Sequence, residues 1–169
     1  MIEVTYFKGL KSTKPEKIIS LGEILDKIRD GEWQDKVVPC RENITLKDKL
    51  PCFTPTGIFN HRSIAGLETY NGIICLDIDH LADPESLKST CKNLHWVKAA
   101  FVTPSGRGLK VIVQTHATVD TYKQTELQVA EAFLEATGVA RDNRCKDIAR
   151  IQFVSYDPAL YYRPNSLTF

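Results

Sequence analysis

The protein has 169 residues, of which 43% are hydrophobic and 25% are charged, and its formal net charge is +1 at pH 7. This composition is typical of one soluble globular domain, and the sequence has neither a run of about 18 apolar residues that would span a membrane nor a signal peptide, so we expect a cytoplasmic protein. Because nucleic-acid binders that ignore sequence usually carry a clear basic excess, the near-neutral charge argues against tight nucleic-acid binding by this domain alone.

The first 50 residues are predicted to form a helical and irregular accessory unit. Residues 3–7 alternate between polar and apolar side chains, which is typical of a short edge strand. Residues 20–30 place apolar side chains at helical spacing, with Ser20 as the N-cap and Gly31 at the end of the helix. Residues 33–50 mix short apolar pairs with charges, which predicts an irregular segment with one short helix.

Residues 51–162 are predicted to form the core of the same single domain, and residues 163–169 form a tail. The predicted core elements are, in chain order, a hairpin over 52–59, a buried strand over 71–79, a helix over 83–93, strands over 95–104 and 109–115, a helix over 120–137 and a final strand over 150–157. This order fits an α+β fold of the RRM-like or ferredoxin-like type. We expect a mixed sheet with both helices packed on one face.

Two carboxylates, Asp77 and Asp79, stand one residue apart at the end of the apolar strand. Residues i and i+2 of a strand point to the same face, so these side chains project together. Carboxylate oxygens suit Mg²⁺ or Mn²⁺, and a pair of them can bind one ion or bracket two. Acids are also common where strands end, so the pair alone fits a structural role equally well. Glycosyltransferases use the same D-x-D pattern to hold a sugar-nucleotide through a metal.

A glycine-rich turn joins the next two strands. Gly106 and Gly108 let the backbone turn sharply and approach a ligand closely. Ser105 and the exposed amides suit phosphate oxygens, and Lys110 can meet a triphosphate as a point charge. Arg107 lies at the tip, within reach of a nucleic-acid backbone. Taken alone, the segment fits an ordinary hairpin turn better, and it is not a P-loop because no GK[ST] opens a helix.

A third acid follows the long helix. Asp142 lies in a loop that leads towards the final strand, and Arg150 opens that strand, where it can hold a phosphate bidentately. Asp147 competes with Asp142 as a metal ligand, but a salt bridge or a turn cap explains it better. His80 lies beside the first two acids, where a surface position is the simpler interpretation.

The cysteines and histidines are not spaced as the ligands of a metal site. The five cysteines are an odd number with no CxxC pair, which excludes a zinc knuckle or a disulfide framework and indicates buried, reduced thiols. The four histidines share no ligand spacing. Any metal site predicted from this sequence is therefore built from carboxylates.

The ordered combination of D-x-D, the S-G-x-G-x-K turn and an acid eight residues before an arginine resembles the archaeo-eukaryotic primase superfamily, which includes the primase-polymerases. One branch of it is resembled more closely by residues 46–63, 71–81, 103–113 and 150–158, namely the VirE amino-terminal domain family of Bacteroidetes mobile elements and phages. The resemblance covers residues 15–162. In that family the domain often precedes a helicase or primase C-terminal region, so a longer protein is compatible with the sequence.

The resemblance implies a template-directed nucleotidyltransferase of the DNA primase or polymerase type, acting in the replication of a mobile element or phage. Two Mg²⁺ or Mn²⁺ ions would be held by the three catalytic carboxylates, Asp77, Asp79 and Asp142. The nucleotide would be bound by Ser105, Gly106, Gly108, Lys110 and Arg150. The nucleic acid would be bound by Arg62 and Arg107. The implied partners are a single-stranded DNA template, nucleoside triphosphates and a replicative helicase, and no membrane is implied.

The chain departs from many members of the superfamily. Lys110 stands where many active members carry histidine, and the zinc-binding element of many primases is missing. A second hypothesis is therefore a non-catalytic module of the same fold that binds single-stranded DNA or docks a helicase, with Phe101 and Phe153 as stacking residues. A third, a sugar-nucleotide transferase, leaves both the glycine turn and the spacing from Asp142 to Arg150 unexplained.

Overall fold

A computed structural model describes residues 1–144 and 147–169, and these residues fold into the predicted α+β class. The strands are β1 (Glu3–Phe7), β2 (Lys17–Ser20), β3 (Cys52–Thr54), β4 (Gly57–Phe59), β5 (Leu67–Tyr70), β6 (Ile73–Ile78), β7 (Val97–Val102), β8 (Leu109–Gln114), β9 (Gln152–Phe153) and β10 (Tyr161–Tyr162). The α-helices are α1 (Leu21–Asp30), α2 (Gln34–Val37), α3 (Pro84–Cys91) and α4 (Tyr122–Thr137). Short 3₁₀ helices span Val38–Arg41, Ile44–Lys49 and Ile64–Gly66. None of the described helices has the length and apolar character needed to cross a membrane.

The central sheet has the strand order β10-β7-β8-β6, and every described pairing in it is antiparallel. The expectation of a mixed sheet is therefore wrong. Helix α3 carries the chain from β6 back to the start of β7, so these two strands run in the same direction. They are not neighbours, because β8 lies between them and runs antiparallel to both.

The two faces of the central sheet are covered by different layers. On one face, Ile74 and Leu76 of β6 pack with Leu87 of α3 and with Val129 and Phe133 of α4. This confirms the prediction that both helices of the core lie on one face. The opposite face, which includes Ile73, Cys75 and Phe101, packs against α1 and the strands of the N-terminal region.

A second sheet, with the order β2-β1-β3-β9, covers that opposite face together with α1. Helix α1 forms as predicted: the Ser20 side chain accepts a hydrogen bond from the Glu23 N–H at 3.0 Å, and Gly31 ends the helix with a φ of 85°. Its apolar stripe, which includes Ile24 and Leu25, is fully buried. Because β1 pairs with β3, the first 50 residues share a sheet with strands of the core.

The hairpin predicted over residues 52–59 is wrong, because its two strands join different sheets. β3 pairs with β1, whereas β4 pairs with β5. The Thr5 hydroxyl holds β4 beside β1, since it donates to the Gly57 carbonyl at 3.3 Å and accepts from the Phe59 N–H at 2.8 Å. A Cβ atom on Gly57 would lie 2.0 Å from the Thr69 carbonyl oxygen, so only glycine allows β4 to approach β5 this closely.

The prediction of one final strand over residues 150–157 is wrong. Only β9 forms a strand in this segment, and it pairs with β3 of the second sheet. The chain then crosses the end of β7, where Ser155 donates to the Val102 carbonyl at 2.6 Å and Asp157 accepts from the Val102 N–H at 2.8 Å. A buried ion pair between Asp157 and Lys88, 2.7 Å long, fixes this crossing. The edge strand beside β7 is instead β10.

The predicted tail, residues 163–169, packs against the central sheet. The Phe169 N–H donates to the Gln114 carbonyl at 2.9 Å, and its ring lies edge-on to Trp96 with 5.4 Å between the ring centroids. The C-terminal residues therefore contribute to the edge of the fold.

Candidate functional site

A cavity of about 340 Å³ lies where the end of β6 meets the turn between β7 and β8 and the segment that follows α4. Six of the residues predicted from the sequence line it: Asp77, Asp79, Ser105, Lys110, Asp142 and Arg150. These residues come from segments far apart in the chain, and the fold brings them together. We call this space the site cavity.

Asp77 and Lys110 form the floor of the site cavity. They lie directly opposite each other in the register of β6 and β8, and the Lys110 ammonium forms an ion pair with Oδ2 of Asp77. Both residues are buried, with Asp77 7% exposed and Lys110 8% exposed. The other oxygen, Oδ1 of Asp77, is buried and accepts no hydrogen bond from residues 1–144 or 147–169. An unpartnered carboxylate oxygen therefore remains beside the cavity.

Asp79 follows the last residue of β6 and is exposed. Partial burial and the nearby charge of Asp77 raise the pKa of the Asp79 carboxyl, and Asp142 adds to this effect while Lys110 opposes it. Asp77 and Asp142 therefore both lie close enough to Asp79 to repel its carboxylate. His80 comes next with a φ of 60°, but its side chain is exposed and does not line the site cavity.

The glycine turn folds closely against the end of β6. A Cβ atom on Gly108 would lie 2.8 Å from the Ile78 carbonyl oxygen and 3.2 Å from Oδ1 of Asp79, so glycine allows the turn to approach the acids. The Ser105 hydroxyl lies 3.0 Å from the Thr103 hydroxyl and accepts from the Arg107 N–H at 3.2 Å. Gly106, with a φ of 71°, reverses the chain. Neither glycine lines the site cavity.

Asp142 is held at the same end of β6 by its backbone, since its N–H donates to the Asp77 carbonyl at 2.7 Å. Its carboxylate accepts from the backbone N–H of Arg144 at 2.9 Å and forms an ion pair with the guanidinium of that residue at 3.1 Å. Arg150 forms an ion pair with Asp147 at 3.2 Å and also donates to the Arg144 carbonyl. Asp147 does not line the site cavity.

The two arginines predicted to bind nucleic acid lie outside the site cavity. Arg107 is exposed at the tip of the turn, and its carbonyl accepts from the Leu81 N–H at 2.8 Å. Arg62 is half-buried, and its backbone N–H donates to the Thr13 carbonyl at 2.8 Å. Its guanidinium lies beside the Cys52 thiol. The structure thus places Arg107 on the turn that lines the site and Arg62 beside β3 of the second sheet.

A family described as "BT4734-like, N-terminal domain" matches residues 45–162. The chain belongs to this family. The VirE-like amino-terminal domain predicted from the sequence is thereby confirmed. Among solved structures, the AEP domain of the cyanophage S-2L primase-polymerase is similar, with 12% sequence identity and a TM-score of 0.45 over 90% of this chain and 72% of that chain. No curated protein matches the sequence.

The whole site cavity lies inside the segment that matches the BT4734-like family, because its lining residues run from Lys47 to Phe153. Four of them were not predicted as site residues: Lys47, Thr103, Pro104 and Arg144. A fifth, Phe153, was predicted only as a base-stacking residue of the non-catalytic module. The Lys47 ammonium lies 5.3 Å from the centroid of the Phe153 ring. Arg144 could have been found from its position two residues after Asp142, whereas no sequence pattern connects Lys47 with the acids.

Two of the three carboxylates that line the site cavity of this BT4734-like domain are paired with a cation. Asp77 pairs with Lys110 and Asp142 pairs with Arg144. Within residues 1–144 and 147–169, no three His, Cys, Asp or Glu side chains are grouped so that they could hold one metal ion. The oxygen donors that Mg²⁺ or Mn²⁺ prefers do face one cavity.

Proposed function

We propose that this domain is a template-directed nucleotidyltransferase of the DNA primase or polymerase type, which acts in the replication of a mobile element or phage. The observation that supports this function is the site cavity itself. Residues from three separate motifs, which the sequence connects only by their order, line one space that contains both carboxylates and cations. Nucleotidyl transfer needs both charge types, because acids hold divalent metals while cations bind the triphosphate.

Asp77, Asp79 and Asp142 are the proposed ligands of two Mg²⁺ or Mn²⁺ ions. The unpartnered Oδ1 of Asp77 and the raised pKa of Asp79 support this role, because a divalent cation would satisfy the free oxygen and relieve the repulsion among the acids. When bound, a pair of such ions activates the attacking hydroxyl and stabilises the leaving pyrophosphate.

Lys110, Ser105 and Arg150 are the proposed triphosphate ligands. In the structure Lys110 neutralises Asp77, and we propose that it exchanges this carboxylate for a phosphate oxygen when the acids hold metal. The Ser105 hydroxyl lines the site cavity beside the hydroxyl of Thr103. The backbone at Gly106 and Gly108 keeps the turn in contact with the acids, and it is the proposed source of further phosphate contacts.

The proposed nucleic-acid contacts of Arg107 and Arg62 differ in their structural support. Arg107 is exposed at the tip of the turn that lines the site cavity, where its charge can meet a phosphate of the template. Arg62 is half-buried beside Cys52. Its role in binding nucleic acid, like the docking of a replicative helicase, stays a prediction from the sequence.

A second function, a non-catalytic module that binds single-stranded DNA, is favoured by a specific observation. Asp77 and Asp142 are paired with cations, and no group of three metal ligands is assembled in the described residues. Of the two aromatic residues predicted to stack on bases, Phe101 is fully buried in the core, whereas Phe153 is half-buried and lines the site cavity. Stacking on Phe153 alone would remain available to such a module.

Extension of a primed and an unprimed DNA template, with Mn²⁺ or Mg²⁺ and either ribonucleotides or deoxyribonucleotides, tests the proposal. We expect the wild-type protein to extend the strand and an Asp77→Ala/Asp79→Ala variant to lose this activity. An Asp35→Ala/Asp120→Ala variant is the matched control, because it removes two exposed carboxylates outside the site cavity. Equal background from the wild type and the Asp77/Asp79 variant would refute catalysis. Salt-sensitive DNA binding that survives in that variant would then favour the non-catalytic module.

A further inference from the structure

We infer that a groove in the N-terminal region binds a single-stranded nucleic acid and leads it towards the site cavity. The inference rests on the proposed function and adds the surface that holds the strand beyond the reacting nucleotide. The groove has a volume of about 490 Å³ and lies between the loop that joins β1 to β2 and the 3₁₀ helix Ile44–Lys49. We call it the lysine groove because Lys8, Lys11 and Lys49 line it.

The lysine groove and the site cavity share one structural element. Thr45, Asp48 and Lys49 of the 3₁₀ helix line the groove, while Lys47 of the same helix lines the site cavity. The loop on the other side of the groove stays close to this helix, since a Cβ atom on Gly9 would lie 3.6 Å from the carbonyl oxygen of Leu50. The inferred path of the strand therefore runs from the site cavity past Lys47 and along this helix into the groove.

The charge of the lysine groove suits a phosphate backbone. Three lysines line it against one acid, Asp48. Lys8 forms only a long ion pair with Glu16, at 3.7 Å between exposed side chains, and such surface pairs are weak. Lys11 and Lys49 are exposed and form no ion pair with any residue that the structure describes. Lysine ammonium groups bind phosphates as point charges without reading sequence.

Because the net charge of the chain is only +1, the excess of lysine in this groove is a local property rather than a consequence of a basic composition. The low net charge argues against tight binding of nucleic acid by the whole surface, but it is compatible with binding along the lysine groove alone. The expected affinity is therefore modest and strongly dependent on salt.

A single strand fits the observations better than a duplex. The groove is bounded by one loop and one short helix, and the adjoining site cavity has a half-buried aromatic ring, Phe153, on its wall. Unpaired bases can stack on such a ring, whereas the bases of a duplex are already stacked on one another. Lys47 lies over the same ring, so a base on Phe153 would have its backbone beside a cation.

The test is fluorescence anisotropy with a labelled single-stranded oligothymidylate over a range of salt concentrations. A Lys11→Ala/Lys49→Ala variant removes two proposed phosphate contacts. Each contact on a single strand contributes about 0.7 to the slope of log K against log salt, so we expect the slope to fall by about 1.4. A Lys92→Ala/Lys123→Ala variant is the control, because it removes the same charge from exposed positions on α4 and at the end of α3, and it should keep the wild-type slope.

Three outcomes would overturn the inference. These are an unchanged slope in the Lys11/Lys49 variant, an equal fall in the control variant, and tighter binding of a duplex of the same length.

The lysine groove and the proposed function can fail separately. Thermal stabilisation by nucleoside triphosphates with Mn²⁺ reports on the site cavity alone, so it should be the same in the Lys11/Lys49 variant and the wild type. An extension-inactive wild type whose DNA binding still depends on Lys11 and Lys49 would refute catalysis while supporting the groove.

Discussion

The ion pair between Lys110 and Asp77 shows how the strand register assembles the candidate site. Both residues were predicted for the site from their motifs, but with separate roles, one on metal and one on phosphate. Their pairing depends on the register of β6 with β8, in which Asp77 lies opposite Lys110. Local sequence patterns do not determine register between strands that are separated by a helix and a third strand. The sequence therefore predicted the residues of this pair but not their contact.

Replacing Lys110 with methionine should destabilise the metal-free protein by about 3 kcal/mol, because it leaves a buried carboxylate without its cation. The measurement is urea unfolding at neutral pH followed by circular dichroism. An Asp77→Asn/Lys110→Met variant should recover most of the loss, since it removes the unpaired charge as well. If the single variant is as stable as the wild type, the ion pair does not form in solution.

The buried thiols lead to a further prediction about single residues, which concerns the pH dependence of stability. The four described cysteines are buried, as the sequence indicated, while Cys145 lies outside the described residues. Burial raises the pKa of the Cys52 thiol to about 11 and that of the Cys91 thiol to about 12. The folded state therefore holds these protons more tightly than the unfolded state does. The resulting stability is fully present below the ordinary thiol pKa of about 8.5 and is lost as the pH rises towards the raised values.

Iodoacetamide at pH 9 should consequently modify Cys52 and Cys91 much more slowly in the folded protein than in urea, because only the thiolate reacts. Mass spectrometry of the digested protein measures the modification at each position. The urea-unfolded sample is the control for intrinsic reactivity. Equal rates in the folded and unfolded samples at Cys91 would contradict the burial of this thiol.

At the scale of elements, helix α4 holds the third acid of the site in place. Glu126 of α4 is 2% exposed and forms a buried ion pair with Arg141, which is 8% exposed, at 2.6 Å. Arg141 immediately precedes Asp142, whose N–H donates to the carbonyl of Asp77. The pair thus connects α4 to the end of β6, although neither charged residue belongs to a predicted motif.

A Glu126→Gln variant should lose about 3 kcal/mol of unfolding free energy, because it leaves the Arg141 guanidinium buried without its carboxylate. Glu131→Gln on the same helix is the control and should change stability by less than about 0.5 kcal/mol, since Glu131 is exposed. Denaturant unfolding measures both. A loss of the same size in the two variants would mean that the effect belongs to the helix rather than to the ion pair.

The elements that the sequence predicted correctly are those with long periodic patterns or strong end signals. Helices α1 and α4 begin and end near the predicted residues, and the continuous apolar runs became β6 and β8. The two wrong elements, the hairpin at 52–59 and the final strand at 150–157, consist of strands two or three residues long. Such short strands form because they pair with strands far away in the chain, as β3 pairs with β1 and β9. A local sequence pattern does not predict these distant pairings.

At the scale of the whole molecule, the central sheet is a middle layer that needs covering on both faces. Helices α3 and α4 cover one face, and α1 with the second sheet covers the other. In the hydrophobic cluster between the central sheet and this second covering layer, more than half of the described buried residues come from the first 50 residues, among them Val4, Ile24, Leu25 and Ile28. The accessory unit that the sequence predicted is thus also a structural part of the core. The same region supplies Lys47 to the site cavity and the walls of the lysine groove.

Deleting residues 1–50 should therefore abolish folding of the remaining chain, rather than only weaken nucleic-acid binding. The deletion exposes the apolar face around Ile73 and Phe101 and leaves β3 without β1, and the lost burial exceeds a typical domain stability of about 5–15 kcal/mol. A cooperative thermal transition in the 51–169 fragment would contradict this layered core.

As a milder test in the full chain, Leu25→Ala should lower the free energy of unfolding by about 2–5 kcal/mol because the side chain is fully buried. Leu127→Ala on α4, where the side chain is 45% exposed, is its control and should cost less than about 0.5 kcal/mol.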